Sequence, residues 1–319
     1  MEKPLKKYSF KTKVKKIFLG MNFYDGLLYK IVIYGLLISF AYVYLYPILY
    51  MVVNSLMGID DLINDGIKWI PSKLNFENYR RAFVVLKLWD PENKVYFDSL
   101  IETTSFVLKT SIAATVSSAL IGFGFARYDF PFKKVLFALM LATFILPSQV
   151  TMVATIGIYR KLNILQTEYA MILPSILGQG LNQAIYILIF YQFFRSIPTA
   201  LYESAEVDGA SQMKIFLKIA IPLAIPSIVI VFLFSFVWYW NETFLTSLFT
   251  GGSKTLPLLI NSFRASYEQL YPPGSAGSQL NEAVVLAGNL VVILPLLIIY
   301  FIGQKQFTES IDRTGLTGE

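Results

Sequence analysis

Residues 219–241 read IAIPLAIPSIVIVFLFSFVWYWN and contain no charged side chain. About 20 apolar residues in a helix span the hydrocarbon core of a bilayer, and a charge inside that core is costly. Other uncharged runs occupy residues 31–59, 110–126, 135–159, 169–194 and 283–304. The run 110–126 is short, so its helix must also include residues 99–109, where Lys109 either snorkels outward or faces protein. Together the runs predict an all-α, polytopic membrane protein with six transmembrane helices.

The composition favours the same class, because hydrophobic residues make up 55% of the chain and charged residues only 15%. A soluble domain has roughly 25% charged residues. The net charge of +6 lies entirely in residues 1–30, which carry eight lysines and two carboxylates, while the rest of the chain is balanced. Such a basic tail is typical of contact with anionic membrane lipid and argues against a nucleic-acid-binding protein.

Lysine and arginine residues in short loops mark the cytoplasmic side of a membrane protein. Their distribution predicts that both termini are cytoplasmic. The expected organisation is a basic cytoplasmic tail at 1–30, a six-helix transmembrane domain at 31–304 and a cytoplasmic C-terminal tail at 305–319. Within the domain, an extracellular loop covers about 58–98, and a cytoplasmic segment at 195–222 joins the fourth and fifth helices.

The chain has neither cysteine nor histidine. This excludes disulfides, thiolate or imidazole metal sites, a cysteine nucleophile and a histidine base. The sequence GxxxxGK[ST] is also absent, so the chain has no P-loop for ATP. Glu203 and Glu206 could share a helical face and bind Mg²⁺, but neighbouring lysines argue against it. No catalytic residue, metal ligand or cofactor site is therefore predicted.

The segment 195–222 reads RSIPTALYESAEVDGASQMKIFLKIAIP. Pro198 and Thr199 suit the start of a short surface helix, with Thr199 as its cap. Gly209 suits a left-handed stop, and Ser211 can cap a following amphipathic stretch. An ordered helix–glycine–helix between two membrane helices favours a docking surface for a cytoplasmic partner, although an interfacial loop without a partner fits the pattern equally well.

Glu203-Ser204-Ala205 followed by Asp208-Gly209-Ala210 resembles the "EAA" loop of binding-protein-dependent ABC importer permeases. Serine stands where this motif prefers alanine at position 204. Further segments resemble the carbohydrate importers of the maltose type along most of the chain: residues 70–71, 75–79, 125–131, 146–150, 240–242, 304–307 and 314–318.

The resemblance implies a type I permease fold and a subunit that is not itself an enzyme. Its implied partners are a second permease in a heterodimer, two ATPase subunits that bind ATP and Mg²⁺, an extracellular substrate-binding protein and a sugar or oligosaccharide. The implied location is the cell membrane of a prokaryote. In such importers the segment 195–222, here named the coupling segment, seats in a cleft of the ATPase.

The resemblance also implies roles for single residues of the coupling segment. Glu203 is the polar contact to the ATPase, Ala205 and Gly209 permit close seating, and Asp208 supports the turn. Ser204 and Ala210 complete the same surface.

We expect a second set of residues to line a substrate path, because aromatic rings pack against the C–H groups of sugars and amides hydrogen-bond to their hydroxyls. Its candidates are Trp240, Asn241, Glu242, Asn182, Gln183 and Asn289. The alternatives are an interfacial aromatic belt for the tryptophan, pairing in the subunit interface for Glu242, and helix–helix hydrogen bonding for Asn182, Gln183 and Asn289.

The main rival function is an ion-coupled secondary transporter. Such carriers usually contain repeated halves and ionisable groups inside the membrane. The sequence has no internal repeat, and Lys109 and Glu242 are its few candidates. An intramembrane enzyme is disfavoured by the lack of histidine, cysteine and paired carboxylates in the runs.

Overall fold

The computed structural model describes residues 26–64, 66, 69–252, 255–275 and 277–315, and the side chains as far as Gln304. The basic tail predicted at 1–30 lies almost wholly outside the described residues. Two compact units are formed by residues 1–78 and 79–319. The described residues are almost entirely helical, as the uncharged runs predict.

The first unit contains α1 (Leu27–Ser55) and α2 (Ile59–Ile63). The amide of Asn78 closes this unit, because its Nδ2 donates to the carbonyl oxygens of Ser55 at 2.8 Å and Met57 at 2.9 Å. The Asp61 carboxylate accepts from the backbone N–H of Ser72 at 2.9 Å. These bonds order the beginning of the predicted extracellular loop.

The remaining elements follow in chain order. They are α3 (Glu77–Val85), β1 (Trp89–Asp90), β2 (Val95–Tyr96), α4 (Asp98–Arg127), α5 (Lys133–Ile145), α6 (Ser148–Lys161), α7 (Tyr169–Ile176), α8 (Gln183–Ser196), α9 (Thr199–Val207), α10 (Gln212–Ile215), a π-helical turn (Phe216–Ala220), α11 (Ile221–Leu223), α12 (Ile225–Asn241), α13 (Phe244–Thr250), α14 (Leu256–Asn261), α15 (Phe263–Leu270) and α16 (Glu282–Gly315). The two strands pair antiparallel, with Trp89 opposite Tyr96.

The helix α4 is the central helix of the second unit, since it packs against α7, α8 and α12. Its buried face carries small and hydroxyl side chains, which let neighbouring backbones approach closely. At Gly122 a Cβ atom would lie 2.6 Å from the Cβ of Phe190 on α8. The hydroxyls bond within their own helix, for example Thr110 to the carbonyl oxygen of Phe106 at 2.8 Å.

Three described helices are long and apolar enough to cross a membrane, namely α1, α4 and the part of α16 from Glu282 to Gln304. Three further pairs of helices are joined at a sharp bend. If each pair forms one span, the described residues contain at most six candidate spans. The prediction that residues 99–126 form one continuous helix is confirmed by α4. Lys109 on this helix is exposed and pairs with Glu168, whose Oε1 lies 2.9 Å from its Nζ.

The third predicted membrane helix, at 135–159, is bent. This run forms α5 and α6, which meet at an angle of 103°. Pro147 disfavours helical backbone at the preceding residue and lacks an N–H for the helical hydrogen bond. Accordingly Leu146 is extended, with φ −74° and ψ 121°.

The fourth run, 169–194, is likewise interrupted at residues 177–182, between α7 and α8. Gly178 has φ +80° and Asn182 has φ +53°, both left-handed conformations that a helix cannot continue through. The sixth helix continues past the predicted boundary at 304, because the backbone of α16 stays helical to Gly315.

Candidate functional site

The coupling segment begins with α9, whose first helical residue is Thr199. The prediction that Thr199 caps this helix is wrong. Pro198 takes the capping position with extended backbone, φ −56° and ψ 131°, and no side chain caps the helix there. A proline suits this place because it has no N–H to satisfy at the helix start.

The end of α9 is closed by Gly209, as predicted. Gly209 has φ +74°, its N–H donates to the carbonyl oxygen of Glu206 at 3.0 Å, and the N–H of Ala210 donates to that of Ala205 at 2.9 Å. This pair of bonds is a Schellman motif, which needs a left-handed residue and so favours glycine. Ser211 then caps α10 as predicted, with its Oγ accepting from the N–H of Lys214 at 3.4 Å.

The residues of the EAA-like motif, in α9 and the turn that follows it, divide into an exposed and a half-buried set. Glu203, Ser204, Asp208 and Gly209 are exposed, whereas Ala205 and Ala210 are half-buried and pack against the hydrophobic core. Within the described residues, the carboxylates of Glu203 and Asp208 make no hydrogen bond or ion pair. The exposed face is therefore acidic and open, and the alanines hold the helix on the bundle.

Glu206 lies in a polar network that connects α9 to the end of α4. Its Oε1 accepts from Arg127 Nη2 at 2.8 Å and from Gln212 Nε2 at 3.0 Å. Gln212 in turn accepts from the Tyr128 hydroxyl at 2.8 Å. The hydrogen bonds from Gln212 and from Arg127 hold the pKa of the Glu206 carboxyl below its usual value.

This network leaves the Mg²⁺ alternative for Glu203 and Glu206 without support. One of the two carboxylates is already paired with a guanidinium, and no cluster of three or more metal-ligating side chains occurs in the part of the chain that the structure describes. Sequence reasoning missed Arg127 in this role, because 79 residues separate it from Glu206 and no local pattern connects them.

A cavity of about 910 Å³ lies where α5 bends into α6, against α7 and the segment 177–182. Among the substrate-path candidates, only Asn182 lines it. The Asn182 Nδ2 atom is buried without a hydrogen-bond partner among the described residues. Interrupted helices whose backbone borders a cavity are typical of membrane transporters.

Gln183 lies beside this cavity but serves helix packing. It is 1% exposed, and its Nε2 donates to Ser117 Oγ at 2.6 Å and to the carbonyl oxygen of Ser175 at 2.8 Å. Its Oε1 accepts from the N–H of Gly180 at 2.6 Å. These bonds favour the helix–helix alternative, because they leave no polar atom of Gln183 for a substrate.

The other four candidates are not brought together. Trp240 is 1% exposed, within the core. Glu242 follows α12, and its Oε1 accepts from the N–H of Leu245 in the first turn of α13 at 2.7 Å. Asn241 bonds to the carbonyl oxygen of Val237 at 2.8 Å. Asn289 is half-buried on α16 and makes no hydrogen bond within the described residues.

A second cavity, of about 600 Å³, lies near the other end of α4. Lys109 and Glu168 line it as an ion pair. Asp98, Glu102 and Ser105 of α4 also border it. The sequence singled out Lys109 only as an unusual charge in a membrane helix.

Comparisons with known proteins agree with this arrangement. Residues 118–312 match the family described as the binding-protein-dependent transport system inner membrane component. The chain is 30% identical to the trehalose transport system permease protein SugB of Mycobacterium tuberculosis, over 80% of this chain and 86% of that protein. It is 26% identical to the polygalacturonan/rhamnogalacturonan transport system permease protein YtcP of Bacillus subtilis, over 89% of this chain and 96% of that protein.

A solved structure shows the same fold. A chain from a bacterial ABC transporter involved in the import of the acidic polysaccharide alginate superposes with a TM-score of 0.67, covering 95% of this chain and 99% of that chain, at 20% identity. The family match leaves the ion-coupled secondary transporter without support. The chain therefore belongs to the family of binding-protein-dependent transport system inner membrane components and is a multi-pass permease of the cell membrane.

Proposed function

We propose that this chain is a transmembrane permease subunit of an ATP-driven importer for a sugar or oligosaccharide in a prokaryotic cell membrane. The relatives support the substrate class, because they are named for trehalose and for polygalacturonan or rhamnogalacturonan transport. A third relative, AraQ of Bacillus subtilis, is named for arabinooligosaccharides and is 26% identical over 91% of this chain.

The observation that carries the coupling role is the open acidic face of α9. This helix lies between two membrane helices, is held by half-buried alanines and ends in a glycine turn. Glu203 and Asp208 on this face have no partner within the described residues. A short helix of this kind fits a groove on a cytoplasmic protein, and the family makes an ATPase the expected occupant.

The proposed assembly contains this chain, a second permease, two ATPase subunits and an extracellular substrate-binding protein. ATP and Mg²⁺ bind to the ATPase subunits, which hydrolyse the nucleotide. Movement of the docked coupling segment then switches the two permeases between inward- and outward-facing states. For the substrate path we retain Asn182, whose unpaired amide borders the larger cavity.

Substitution of Gly209 tests the coupling role. Proline at this position would fix φ near −65° and remove the backbone N–H that donates to the carbonyl oxygen of Glu206. In the purified assembly, we expect Gly209→Pro to keep the membrane helices and lose sugar uptake. Asparagine tolerates left-handed backbone, so Gly209→Asn is the matched control and should retain uptake.

The measurements are co-purification of an ATPase with the tagged permease, and uptake of labelled oligosaccharides into vesicles with MgATP inside and the binding protein outside. A panel of trehalose, arabino-oligosaccharides and galacturonan fragments covers the relatives' named substrates. Normal uptake by Gly209→Pro with normal ATPase assembly would contradict the coupling role. A permease that co-purifies with no ATPase would contradict the proposed function as a whole.

A further inference from the structure

The last turns of α4 contact every element around the coupling segment. Phe123 is the centre of an aromatic group, with ring centroids 5.4 Å from Phe194 at the end of α8, 6.2 Å from Tyr202 on α9 and 5.0 Å from Phe216 in the π-helical turn. The ring of Tyr128 completes the group, with its centroid 6.0 Å from that of Phe123. We name these five residues the Phe123 cluster.

Arg127 lies one helical turn beyond Phe123 and holds α9 at two points. One edge of its guanidinium donates to Glu206 at 2.8 Å, and its Cζ lies 5.0 Å from the ring centroid of Tyr202. Tyr202 and Glu206 are four residues apart and so share one face of α9. A planar guanidinium can donate from its edge and stack with its face at the same time, which a lysine ammonium cannot do.

We propose that Arg127 is a positioning residue that fastens the coupling helix α9 to the central helix α4, so that a displacement of α9 is transmitted along α4 to the second cavity. This inference rests on the proposed function, since it needs a partner that displaces α9. The direct evidence is the double contact of Arg127 with α9 above the Phe123 cluster. The second link is the length of α4, which runs without interruption from Asp98 to Arg127.

The geometry favours a role in coupling over a role in folding. The side chains of Arg127 and Glu206 are 20% and 37% exposed, and ion pairs with solvent access contribute little to stability. The Phe123 cluster packs the end of α4 against α8, α9 and the π-helical turn without the help of this ion pair. Loss of the Arg127 contacts should therefore loosen α9 without unfolding the bundle.

The other end of α4 offers a measurement that separates the two roles. Its accessibility should change with the nucleotide state only if Arg127 transmits the displacement of α9. Ser105 on α4 borders the second cavity, about 33 Å along the helix from Arg127 at 1.5 Å per residue. Because the chain has no cysteine, Ser105→Cys introduces a single thiol into it. Its reaction with a membrane-impermeant maleimide is measured in vesicles containing the assembled importer, without nucleotide and after trapping with MgATP and vanadate.

With Arg127 intact, we expect vanadate trapping to change the labelling rate at position 105 severalfold. With Arg127→Gln, the ATPase should remain bound and hydrolyse ATP, but the change in labelling should be lost. The exchanged pair Arg127→Glu with Glu206→Arg should restore part of the change, because the ion pair is kept with its charges reversed. Arg127→Lys should show a smaller change in labelling than the native chain, because a lysine cannot stack on Tyr202 while donating to Glu206.

Lys133→Gln is the matched control, since Lys133 forms an ion pair with Asp129 at 3.0 Å close to the same end of α4. It should leave the labelling change intact. Equal changes with Arg127 and with Arg127→Gln would overturn the proposal, and so would the absence of any change in the native chain. An importer whose ATPase does not assemble would contradict the proposed function instead, so the two failures are distinguishable.

Discussion

At the scale of single residues, Gly122 lets α4 and α8 approach closely. A Cβ at Gly122 would lie 2.6 Å from Phe190 Cβ, 3.0 Å from the backbone nitrogen of Tyr191 and 3.1 Å from the carbonyl oxygen of Ile187. None of these atoms is the end of a flexible side chain. Any side chain at position 122 must therefore push the two helices apart.

We expect Gly122→Ala to lower the free energy of unfolding by about 1–3 kcal/mol, the usual cost of overpacking a core. Gly124→Ala, two residues further on the same helix, is the control, because a Cβ there meets nothing within 4 Å. It should be neutral or slightly stabilising, since alanine is the better helix former. Thermal unfolding of the detergent-solubilised protein measures both, and equal melting temperatures for the two variants would contradict the close approach of α4 and α8.

The sequence predicted single residues well where their role is local. Gly209 and Ser211 follow from the preferences of helix ends, which act over a few residues. The pairing of Arg127 with Glu206 could not be predicted, because it depends on how α4 and α9 meet in space. The bond from the N–H of Leu245 to Glu242 is local, since three residues separate the two, but the aromatic run before Glu242 favoured a substrate path instead.

At the scale of elements, the break between α7 and α8 is stabilised by buried polar side chains. Tyr239 on α12 bonds through its hydroxyl to Ser175 Oγ at 2.7 Å and accepts the N–H of Leu181 at 2.9 Å. Gln183 accepts the N–H of Gly180 and donates to Ser117 Oγ on α4. Backbone groups freed by a broken helix must be satisfied inside a membrane, and these side chains do so.

We expect Gln183→Leu to destabilise the protein by about 1–3 kcal/mol, because it removes the buried hydrogen bonds of Gln183 to Ser117 and Ser175 and leaves the half-buried N–H of Gly180 without its acceptor. Gln179→Leu is the matched control. The side chain of Gln179 is exposed at the larger cavity and makes no hydrogen bond within the described residues. Melting temperatures in detergent compare the two, and a larger loss for Gln179→Leu would show that Gln183 does not hold the break together.

Hydropathy predicted how many segments can reach across the membrane but not where they bend. A window of apolar residues is the same whether the helix continues or stops inside it. Pro147 was visible in the sequence and marks the bend between α5 and α6, whereas the break at 177–182 depends on left-handed backbone at Gly178 and Asn182. Composition therefore predicted the class of fold, and tertiary contacts decided the interrupted helices.

At the scale of the whole molecule, the length of α4 sets which parts of the second unit lie on opposite sides of the bilayer. Its 30 residues are about 45 Å long at 1.5 Å per residue. This matches the roughly 40–45 Å of a bilayer with its headgroups. The hairpin of β1 and β2 precedes the N-terminal end of α4, and the coupling segment packs against the C-terminal end of α4. These two regions should therefore face different compartments.

We predict that the coupling segment is cytoplasmic and the hairpin extracellular, as the lysine and arginine distribution indicates. Single thiols at exposed positions test this in the cysteine-free chain, with Glu92→Cys in the hairpin and Val207→Cys on α9, where Val207 is 88% exposed. In intact cells a membrane-impermeant maleimide should label position 92 at once and position 207 only after permeabilisation. Labelling of both from outside would mean that α4 does not cross the membrane. Labelling of position 207 alone would show that the orientation is opposite to the predicted one. The coupling segment would then lie on the side of the membrane where no ATP is present.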